Sequence, residues 1–338
     1  MPLIDYAPYD IADLFITPMW EQTQSSTAQF QNCQQAYVFR YLYQLKAKYL
    51  SKPLITGSAG HIGMDVLLDP SLDIPLNDRT TAAWDAMEKY WEEIFALPAA
   101  SLGNVSDKLQ HGRAQSHACI QAFAINFLED LPFEVLETEQ TIRKVDDGKP
   151  YHSLLQRMAG KMDGKVRDPD DNSWLLEHKF LANIGNILWG TALDTDHQAL
   201  WYLSLAIQED PTFQGFYYNT IQKPLHRSGA TWEAMKNRMV EAMCGDTDKY
   251  FALTPVILDH FAITRMMANW TKTIKRMDNL APDNVEMNTK SCGMYDGCEY
   301  RPLCRHLVDS GNPEEVFNCP AIEMYDFTIP HEELAIVV

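Results

Sequence analysis

The segment AGKMDGKVRDPDDNSWLLEHKF, residues 159–180, constrains the fold more than any other part of this sequence. A run that alternates polar and apolar residues precedes the turn sequence DPDDNS, and a largely apolar run follows it. This pattern predicts an antiparallel hairpin with strands over residues 160–167 and 174–180. Other strands are predicted over residues 133–145 and 213–222, and helices over residues 27–49, 80–97, 106–128, 196–207, 231–244 and 257–277. Strands gathered in the middle of a helix-rich chain predict one α/β domain with a mixed central sheet flanked by helices.

The chain of 338 residues has the composition of a folded protein, with 46% hydrophobic and 22% charged residues. That much apolar material can form a substantial core, which excludes wholesale disorder. No apolar run approaches the roughly 20 residues of a membrane helix, and the acidic start MPLIDYAPYDIADLF lacks the layout of a signal peptide. We therefore expect a soluble cytoplasmic protein with no membrane partner.

The net charge of −18 argues against a polyanionic partner such as nucleic acid. The distribution of the charge weakens that argument. Residues 305–338 hold seven acidic residues and one basic residue, so they supply six of the 18 excess negative charges. Residues 22–63 hold Arg40, Lys46, Lys48 and Lys52 and no acidic residue. This pattern is compatible with local basic surfaces, and solvated helix faces are the plainer alternative.

Seven cysteines, an odd number, favour metal ligands or free thiols over a disulfide framework. Cys292, Cys298 and Cys304 follow one another at spacings of six residues in SCGMYDGCEYRPLC. Cys33 lies alone near the start of the chain, and Cys319 lies alone in the acidic carboxyl-terminal segment.

The predicted hairpin brings chemically useful side chains together. Asp163 and Glu177 lie roughly opposite each other across its two strands. Because side chains alternate faces, Glu177 and Lys179 point the same way and His178 points away. Two carboxylates suit Mg²⁺ or Mn²⁺, and the backbone carbonyl of His178 offers a further oxygen ligand. Lys179 would orient or help to deprotonate a water molecule, or offset charge on a phosphate; taken alone, these residues are more simply a surface ion pair.

Two further motifs accompany the hairpin. Gln198 and Tyr202 share one helical face in DTDHQALWYLSLA, and His61 ends a Gly-x-x-x-His pattern in TGSAGHIGM. Taken alone, the histidine is more simply structural, and the helix face more simply packs on the sheet. Together with the acidic hairpin, these motifs resemble the PD-(D/E)XK nuclease superfamily, and in particular its RecB-like branch.

The cysteine pattern is similar to the iron–sulfur subset of that branch, which includes AddB-like exonucleases and the four-cysteine CRISPR-associated and viral nucleases. The resemblance covers about residues 28–306. It implies a restriction-endonuclease-like core whose chain ends are joined by a 4Fe-4S cluster, with Cys33, Cys292, Cys298 and Cys304 as ligands. Zinc is the alternative metal for four thiolates. The last cysteines are farther apart than in the common Cys-x-x-Cys form, which leaves the cluster geometry open.

The resemblance also implies roles for the site residues. Catalytic roles fall to residues of the hairpin and of the helix that follows it: Asp163, Glu177, Lys179, Gln198 and Tyr202. The ligands of Mg²⁺ or Mn²⁺ would be groups around the hairpin: His61, Asp163, Glu177 and His178. The sequence departs from the family pattern at Met162, where a proline is common.

The expected organisation is a single nuclease domain over residues 1–306 followed by an acidic tail over residues 307–338. The parts of that domain, in chain order, are the cluster-ligand helix with the histidine element (27–61), a helical insertion (62–131), the catalytic core (132–222) and helices with the three-cysteine segment (223–306).

The function implied is that of a metal-dependent DNA exonuclease acting on DNA ends in recombination, repair or viral DNA processing, in the host cytoplasm if the protein is viral. Its partners would be DNA, single-stranded or with free ends, and a recombinase or helicase. The basic, aromatic residues 37–52 would guide a single strand by charge and stacking. The alternatives are a non-cleaving DNA-binding subunit of a recombination or CRISPR-adaptation complex, and a structural zinc protein.

Overall fold

Helices and strands are interleaved along the chain in the computed structural model. The structure describes residues 22–48, 52–97, 106–143, 158–184, 193, 196–225, 231–281, 284–293 and 298–327. The helices of these residues are α1 Gln24–Asn32, α2 Gln34–Tyr37, α3 Lys52–Leu68, α4 Leu76–Ala96, α5 Ser106–Phe127, α6 His197–Glu209, α7 Trp232–Gly245, α8 Thr247–Tyr250, α9 His260–Asp278 and α10 Arg301–Ser310. The strands are β1 Leu45–Ala47, β2 Glu134–Arg143, β3 Ala159–Arg167, β4 Ser173–Leu181, β5 Phe213–Gln222, β6 Phe251–Ile257 and β7 Tyr325–Phe327.

A five-stranded mixed sheet in the order β2-β3-β4-β5-β6 carries the fold. β3 pairs antiparallel with β4, β4 pairs parallel with β5, and β5 pairs antiparallel with β6. Because a parallel pair needs a crossover connection, α6 lies in the chain between β4 and β5. The predicted α/β class and the mixed central sheet flanked by helices are confirmed.

The turn between β3 and β4 is fixed by its own side chains. Asp168 Oδ1 accepts the backbone N–H of Asn172 at 2.9 Å, and Asp168 Oδ2 accepts the indole N–H of Trp174 at 2.9 Å. Asp171 takes a positive φ of 67°, a conformation that aspartate adopts more readily than most residues. These contacts produce the predicted hairpin and thereby set the register of β3 against β4.

The helices α4 and α5 lie in the region that we expect to be a helical insertion. They pack with α3 and α7 around an apolar core in which Met87, Trp91 and Ile120 are fully buried. Trp91 still finds a polar partner, because its indole N–H donates to Ser116 Oγ at 3.2 Å. The core therefore holds α3, which carries His61, in a fixed position.

The helix expected over residues 27–49 is interrupted, contrary to the prediction. α1 ends at Asn32 because Cys33 takes an extended backbone with φ −161°. β1 then pairs antiparallel with β7, and Lys48 lies 3.5 Å from Asp326 in an ion pair. Part of the expected acidic tail is therefore folded as far as Phe327; its residues 328–338 lie outside the described part of the chain.

The aromatic side chains near β1 form a core instead of a DNA-binding surface. Tyr37, Phe39 and Tyr43 are 5%, 0% and 4% exposed, and they belong to one apolar cluster. A buried ring cannot stack on a base, so the expected role of these three residues in guiding single-stranded DNA is wrong.

Two other elements differ from the prediction. Residues 251–257 form β6, which pairs with β5, and the expected helix over residues 257–277 begins only at His260. The reason is local, since Asp259 Oδ1 accepts the backbone N–H of Phe261 at 3.0 Å and caps the helix start. The helix α3, with several glycines and a proline in its sequence, was not predicted as a helix.

The chain divides into two compact units. The terminal unit comprises Met1–Lys48, Arg143–Gly160 and Thr264–Val338, and the central unit comprises Tyr49–Ile142 and Lys161–Ile263. The sheet residues from β3 to β6 that carry the candidate site belong to the central unit, and the cysteines predicted to bind a cluster belong to the terminal unit. In the part of the chain that the structure describes, no helix combines the length and apolarity needed to cross a membrane.

Candidate active site

Glu177 and Lys179 face the same side of β4, as the strand alternation predicts. The Lys179 ammonium donates to Glu177 Oε1 at 2.6 Å. Glu177 is 4% exposed, and a carboxylate buried to that extent is costly unless a cation or donor compensates it. This pair forms the centre of the candidate site.

Asp163 joins this pair from β3. The register Gly164↔Leu176 places Asp163 one step further along, beside Glu177. Asp163 Oδ2 accepts the backbone N–H of His178 at 2.7 Å. Asp163 Oδ1 lies 3.2 Å from Nδ1 of His61. One carboxylate thus links both strands of the hairpin to the helix α3.

A close helix–strand contact positions His61. A side-chain Cβ placed on Gly60 would lie 2.6 Å from the ring of Phe180 on β4. The His61 ring also packs edge-on against the Phe180 ring, with 5.5 Å between their centroids. Because position 60 has no side chain, α3 approaches β4 closely enough for His61 to reach Asp163.

The helix α6 supplies the polar partner of the lysine. Asp196 caps this helix, since its Oδ1 accepts the backbone N–H of Gln198 at 2.8 Å. The Gln198 carbonyl Oε1 in turn accepts from Lys179 Nζ at 2.7 Å, and the Gln198 amide donates to the Tyr202 hydroxyl at 3.3 Å. Gln198 and Tyr202 therefore share one helix face, as predicted, and that face meets the site.

The two carboxylates have opposite electrostatic environments. Burial alone raises the pKa of Asp163, but the charge of His61 and the hydrogen bonds from His61 and His178 lower it to about 2. Burial, and then repulsion by Asp163, raise the pKa of Glu177 to about 7, although Lys179 opposes this shift. The site therefore keeps one ionised carboxylate and one carboxyl that is ready to lose a proton near neutral pH.

The site raises the pKa of two of its basic groups, Lys179 and His61. Burial lowers the pKa of Lys179, but attraction to Glu177 outweighs it and the pKa is raised overall. The pKa of His61 is likewise raised, because attraction to Asp163 outweighs burial. Lys179 is therefore a charged hydrogen-bond donor.

His178 points away from Glu177, as predicted, and lies in a different environment. Its ring is 3% exposed, and its Nδ1 lies 2.9 Å from the side-chain amide nitrogen of Asn219 on β5. Burial lowers the pKa of His178 to about 4, so the imidazole is neutral. The expected role of its backbone carbonyl as a metal ligand stays a prediction.

The cysteines predicted to bind a cluster are neighbours within the terminal unit. All seven cysteines are free thiols. Cys33, Cys298 and Cys304 border one apolar cluster, and the backbone N–H of Cys298 donates to the carbonyl of Cys292 at 3.1 Å. Burial raises the pKa of Cys304 to about 12, with smaller contributions from the other three thiols. The four sulfur atoms are thus close enough to interact electrostatically.

Neither the cysteines nor the carboxylates form a completed metal cage. Over the described residues, no three or more histidine, cysteine, aspartate or glutamate side chains converge as metal ligands. In the carboxylate site, Asp163 is engaged by His61 and Glu177 by Lys179. The Lys179 ammonium and the His61 ring therefore take contacts that a metal ion would use.

Some residues of this site were not identified from the sequence. Asn219 belongs to no motif, and only the pairing of His178 with Asn219 across β4 and β5 brings the two side chains together. Asp196 did carry a signal, because an aspartate directly before an apolar helical run is a typical helix cap.

The sequence profile of the PD-(D/E)XK nuclease superfamily matches residues 21–305. The chain belongs to this superfamily. The match includes each of the predicted site residues and the cysteines from Cys33 to Cys304. This membership supports a nuclease function for the chain.

Two other comparisons complete this picture. No curated protein is significantly similar to the sequence. A crystal structure from Eubacterium rectale, described as a "Putative exonuclease", is 13% identical over 90% of this chain and 93% of that chain, with a TM-score of 0.46.

Proposed function

We propose that this PD-(D/E)XK nuclease is a deoxyribonuclease that requires Mg²⁺ or Mn²⁺ and digests DNA from its ends. The observation that carries the proposal is the pair of the half-buried Asp163 and the buried Glu177, with the Lys179 ammonium 2.6 Å from Glu177 and 2.7 Å from Gln198. A carboxylate pair beside a fixed ammonium is suited to phosphodiester hydrolysis, because it provides both cation ligands and a donor for developing charge.

The residues of the site fit a hard divalent cation. Repulsion by Asp163 contributes to the raised pKa of Glu177, and a divalent cation between the carboxylates would relieve that repulsion. Asp163, Glu177, His61 and the backbone carbonyl of His178 would hold the ion with oxygen and nitrogen ligands. When bound, such an ion lowers the pKa of water and stabilises negative charge on the phosphate.

The protein groups then have distinct tasks. Lys179, whose pKa is raised, acts as a donor that orients the attacking water or offsets charge on the phosphate, and does not act as a base. Gln198 holds the ammonium of Lys179 in place, and Tyr202 holds the amide of Gln198. The helix α6 therefore sets the direction in which Lys179 donates.

The proposal is tested with linear and circular DNA, single- and double-stranded, labelled at either end. We expect Mg²⁺- or Mn²⁺-dependent release of label from linear DNA and survival of circular DNA. Lys179→Ala should lower the rate at least 10²-fold. Lys165→Ala is the matched control, because Lys165 lies on β3 and pairs with Asp210 at 3.3 Å, outside the site. Full cleavage by Lys179→Ala, or efficient cutting of circles, would contradict the proposal.

We also propose that the protein belongs to the RecB-like branch and that Cys33, Cys292, Cys298 and Cys304 bind a 4Fe-4S cluster. Four neighbouring free thiols support this. Burial, and to a smaller extent the neighbouring thiols, raise the pKa of Cys298 and Cys304, and a bound metal would neutralise the charge of the thiolates. Anaerobic purification with metal analysis separates the options. Iron with inorganic sulfide in a brown protein is the expected result, and stoichiometric zinc in a colourless protein would contradict the cluster.

A role in recombination, repair or viral DNA processing in the cytoplasm accompanies this proposal. An exonuclease of this kind works beside a helicase or recombinase, which opens or receives the DNA end. We expect DNA with free ends to pull down such a partner together with this protein, and circular DNA not to do so.

A further inference from the structure

The helix α9 carries a group of cations that the proposed mechanism does not use. Four of its side chains are basic and exposed: Arg265, Lys272, Lys275 and Arg276. All four belong to the terminal unit. The helix holds one acidic residue, Asp278, at its last position. In a chain with a net charge of −18, this helix is therefore a local concentration of positive charge.

The packing of α9 fixes the direction in which these cations point. Trp270 and Ile274 are fully buried, and Met277 is 7% exposed. At 3.6 residues per turn, the four cations fall within about 100° of arc on the opposite side of the helix. The helix α1 secures this orientation, because Gln31 Nε2 donates to Thr273 Oγ1 at 3.0 Å. The cations therefore form one exposed surface, the basic face of α9.

Neighbouring acids do not neutralise the basic face of α9. In the part of the chain that the structure describes, no aspartate or glutamate forms an ion pair with any of its four cations. Two other exposed cations of the terminal unit are paired, Lys48 with Asp326 at 3.5 Å and Arg305 with Asp309 at 4.0 Å. A row of cations without acidic partners fits a polyanion, because each cation that meets a phosphate of DNA releases condensed counterions.

The basic face of α9 suits a double strand better than a single strand. From Arg265 to Arg276 the helix rises about 16 Å at 1.5 Å per residue, which matches about five base pairs at 3.4 Å each. Proteins that bind single strands stack the bases on aromatic rings. Between Thr264 and Asp278 the sequence has one aromatic residue, Trp270, and its ring is buried. The face can therefore contact phosphates, but it offers no ring on which a base could stack.

We propose that the basic face of α9 binds the phosphate backbone of double-stranded DNA. The inference rests on the proposed nuclease function and names the form of DNA that the protein holds. These contacts depend neither on base sequence nor on a divalent cation, because ammonium and guanidinium groups meet the phosphates directly. The face holds the duplex and takes no part in breaking the phosphodiester bond.

Binding of a short blunt duplex, and of its separate strands, is measured in EDTA at several salt concentrations, so that the DNA stays intact. The double variant Lys272→Gln, Lys275→Gln should bind the duplex roughly 50-fold more weakly at 0.1 M salt, and the slope of log K against log salt should become less steep by about 2. The double variant Lys48→Gln, Arg305→Gln is the matched control, because it removes the same charge from the same unit at cations that are already paired. It should bind as the wild type does, and so should Lys272→Arg, Lys275→Arg, which keeps the charge. The separate strands should bind the wild type more weakly than the duplex does.

The outcomes separate this inference from the nuclease proposal. Equal weakening by the two glutamine double variants, no duplex binding in EDTA at low salt, or equal binding of duplex and single strands would overturn the inference, while cleavage by the wild type with Mg²⁺ still upholds the nuclease proposal. The expected loss of binding in a wild-type protein that cleaves no DNA with Mg²⁺ or Mn²⁺ would uphold the surface and overturn the nuclease proposal. If Lys272→Gln, Lys275→Gln changes self-association in place of DNA binding, the face is a protein interface and the inference is overturned. Thermal unfolding checks that the variants fold; if that double variant does not, Arg265→Gln on the same face decides, and unchanged duplex binding overturns the inference.

Discussion

The ammonium of Lys179 has two partners, Glu177 and Gln198, and its contact with Glu177 opposes the uptake of a proton by that carboxyl. Burial and repulsion by Asp163 outweigh this stabilisation and raise the pKa of Glu177 to about 7. The folded protein therefore retains a proton that the unfolded chain releases near its ordinary pKa of 4.5. As the pH rises, the metal-free folded protein therefore becomes less stable.

We predict that, without metal, the free energy of unfolding falls between pH 4.5 and about 7. The folded state binds more protons than the unfolded state in that range, so raising the pH favours unfolding. The raised pKa of His61 acts in the same direction above pH 6.5. The lowered pKa of Asp163 acts only between pH 2 and 3.8, below this range.

Mg²⁺ should reverse this trend, because it binds the ionised carboxylate. Thermal unfolding at pH 5.5 and pH 8, with and without Mg²⁺, measures both effects. Glu177→Gln should remove most of the pH dependence and most of the Mg²⁺ stabilisation. If Mg²⁺ raises the unfolding temperature by the same amount at both pH values, Glu177 does not control metal binding.

At the scale of secondary-structure elements, the contact of α3 with β4 decides whether His61 reaches Asp163. A Cβ on Gly60 would lie 2.6 Å from Phe180, whereas a Cβ on Gly57, one turn earlier, would meet nothing within 4 Å. The same helix thus offers a test position and a matched control.

We predict that Gly60→Ala lowers the free energy of unfolding by about 1–3 kcal/mol through overpacking and lowers cleavage by displacing His61. Gly57→Ala should instead raise stability by about 0.5–1 kcal/mol through helix propensity and leave cleavage unchanged. Denaturant unfolding and cleavage assays measure the two effects. Adding Phe180→Leu to Gly60→Ala should restore part of the loss; equal behaviour of the two alanine variants would contradict this account of the contact.

Local signals were sufficient to predict the hairpin and the strand over residues 213–222. The turn sequence DPDDNS and the residue alternation of β3 are properties of neighbouring residues, and β5 spans Phe213–Gln222 as predicted. The hairpin determines the positions of Asp163, Glu177 and Lys179. The helix periodicity places Gln198 and Tyr202 on one face.

Long-range packing explains what the sequence did not reveal. The glycine-containing sequence of α3 carries no clear helix signal, and the contact of Gly60 with Phe180 becomes visible only in the fold. The aromatic residues Tyr37 and Phe39 suggest a DNA-binding surface until the cluster that buries them is known. Asn219 is a site residue only because β4 and β5 are parallel and in register. None of these facts depends on residues that are close in the chain.

At the scale of the whole molecule, the candidate site and the cysteines belong to different units. Loss of a ligand of the proposed cluster should therefore act first on the terminal unit. We predict that Cys33→Ser loses iron and speeds hydrogen exchange in the terminal-unit segments, while segments of the central unit keep their protection. Cys244→Ser is the control, because Cys244 lies in the central unit and accepts from Asn126. Unchanged exchange in Cys33→Ser would show that Cys33 holds no cluster.

The division of the chain also affects its synthesis. The central unit ends at Ile263, so all of it is made before Thr264–Val338, the last segment of the terminal unit. Cys304 follows Cys33 by 271 residues, and translation at about 5–20 residues per second leaves an interval on the order of tens of seconds between them. For most of that interval the nascent chain that carries Cys33 contains none of Cys292, Cys298 and Cys304, the other ligands proposed for the cluster. Completion of the terminal unit is therefore a late step in the synthesis of the protein.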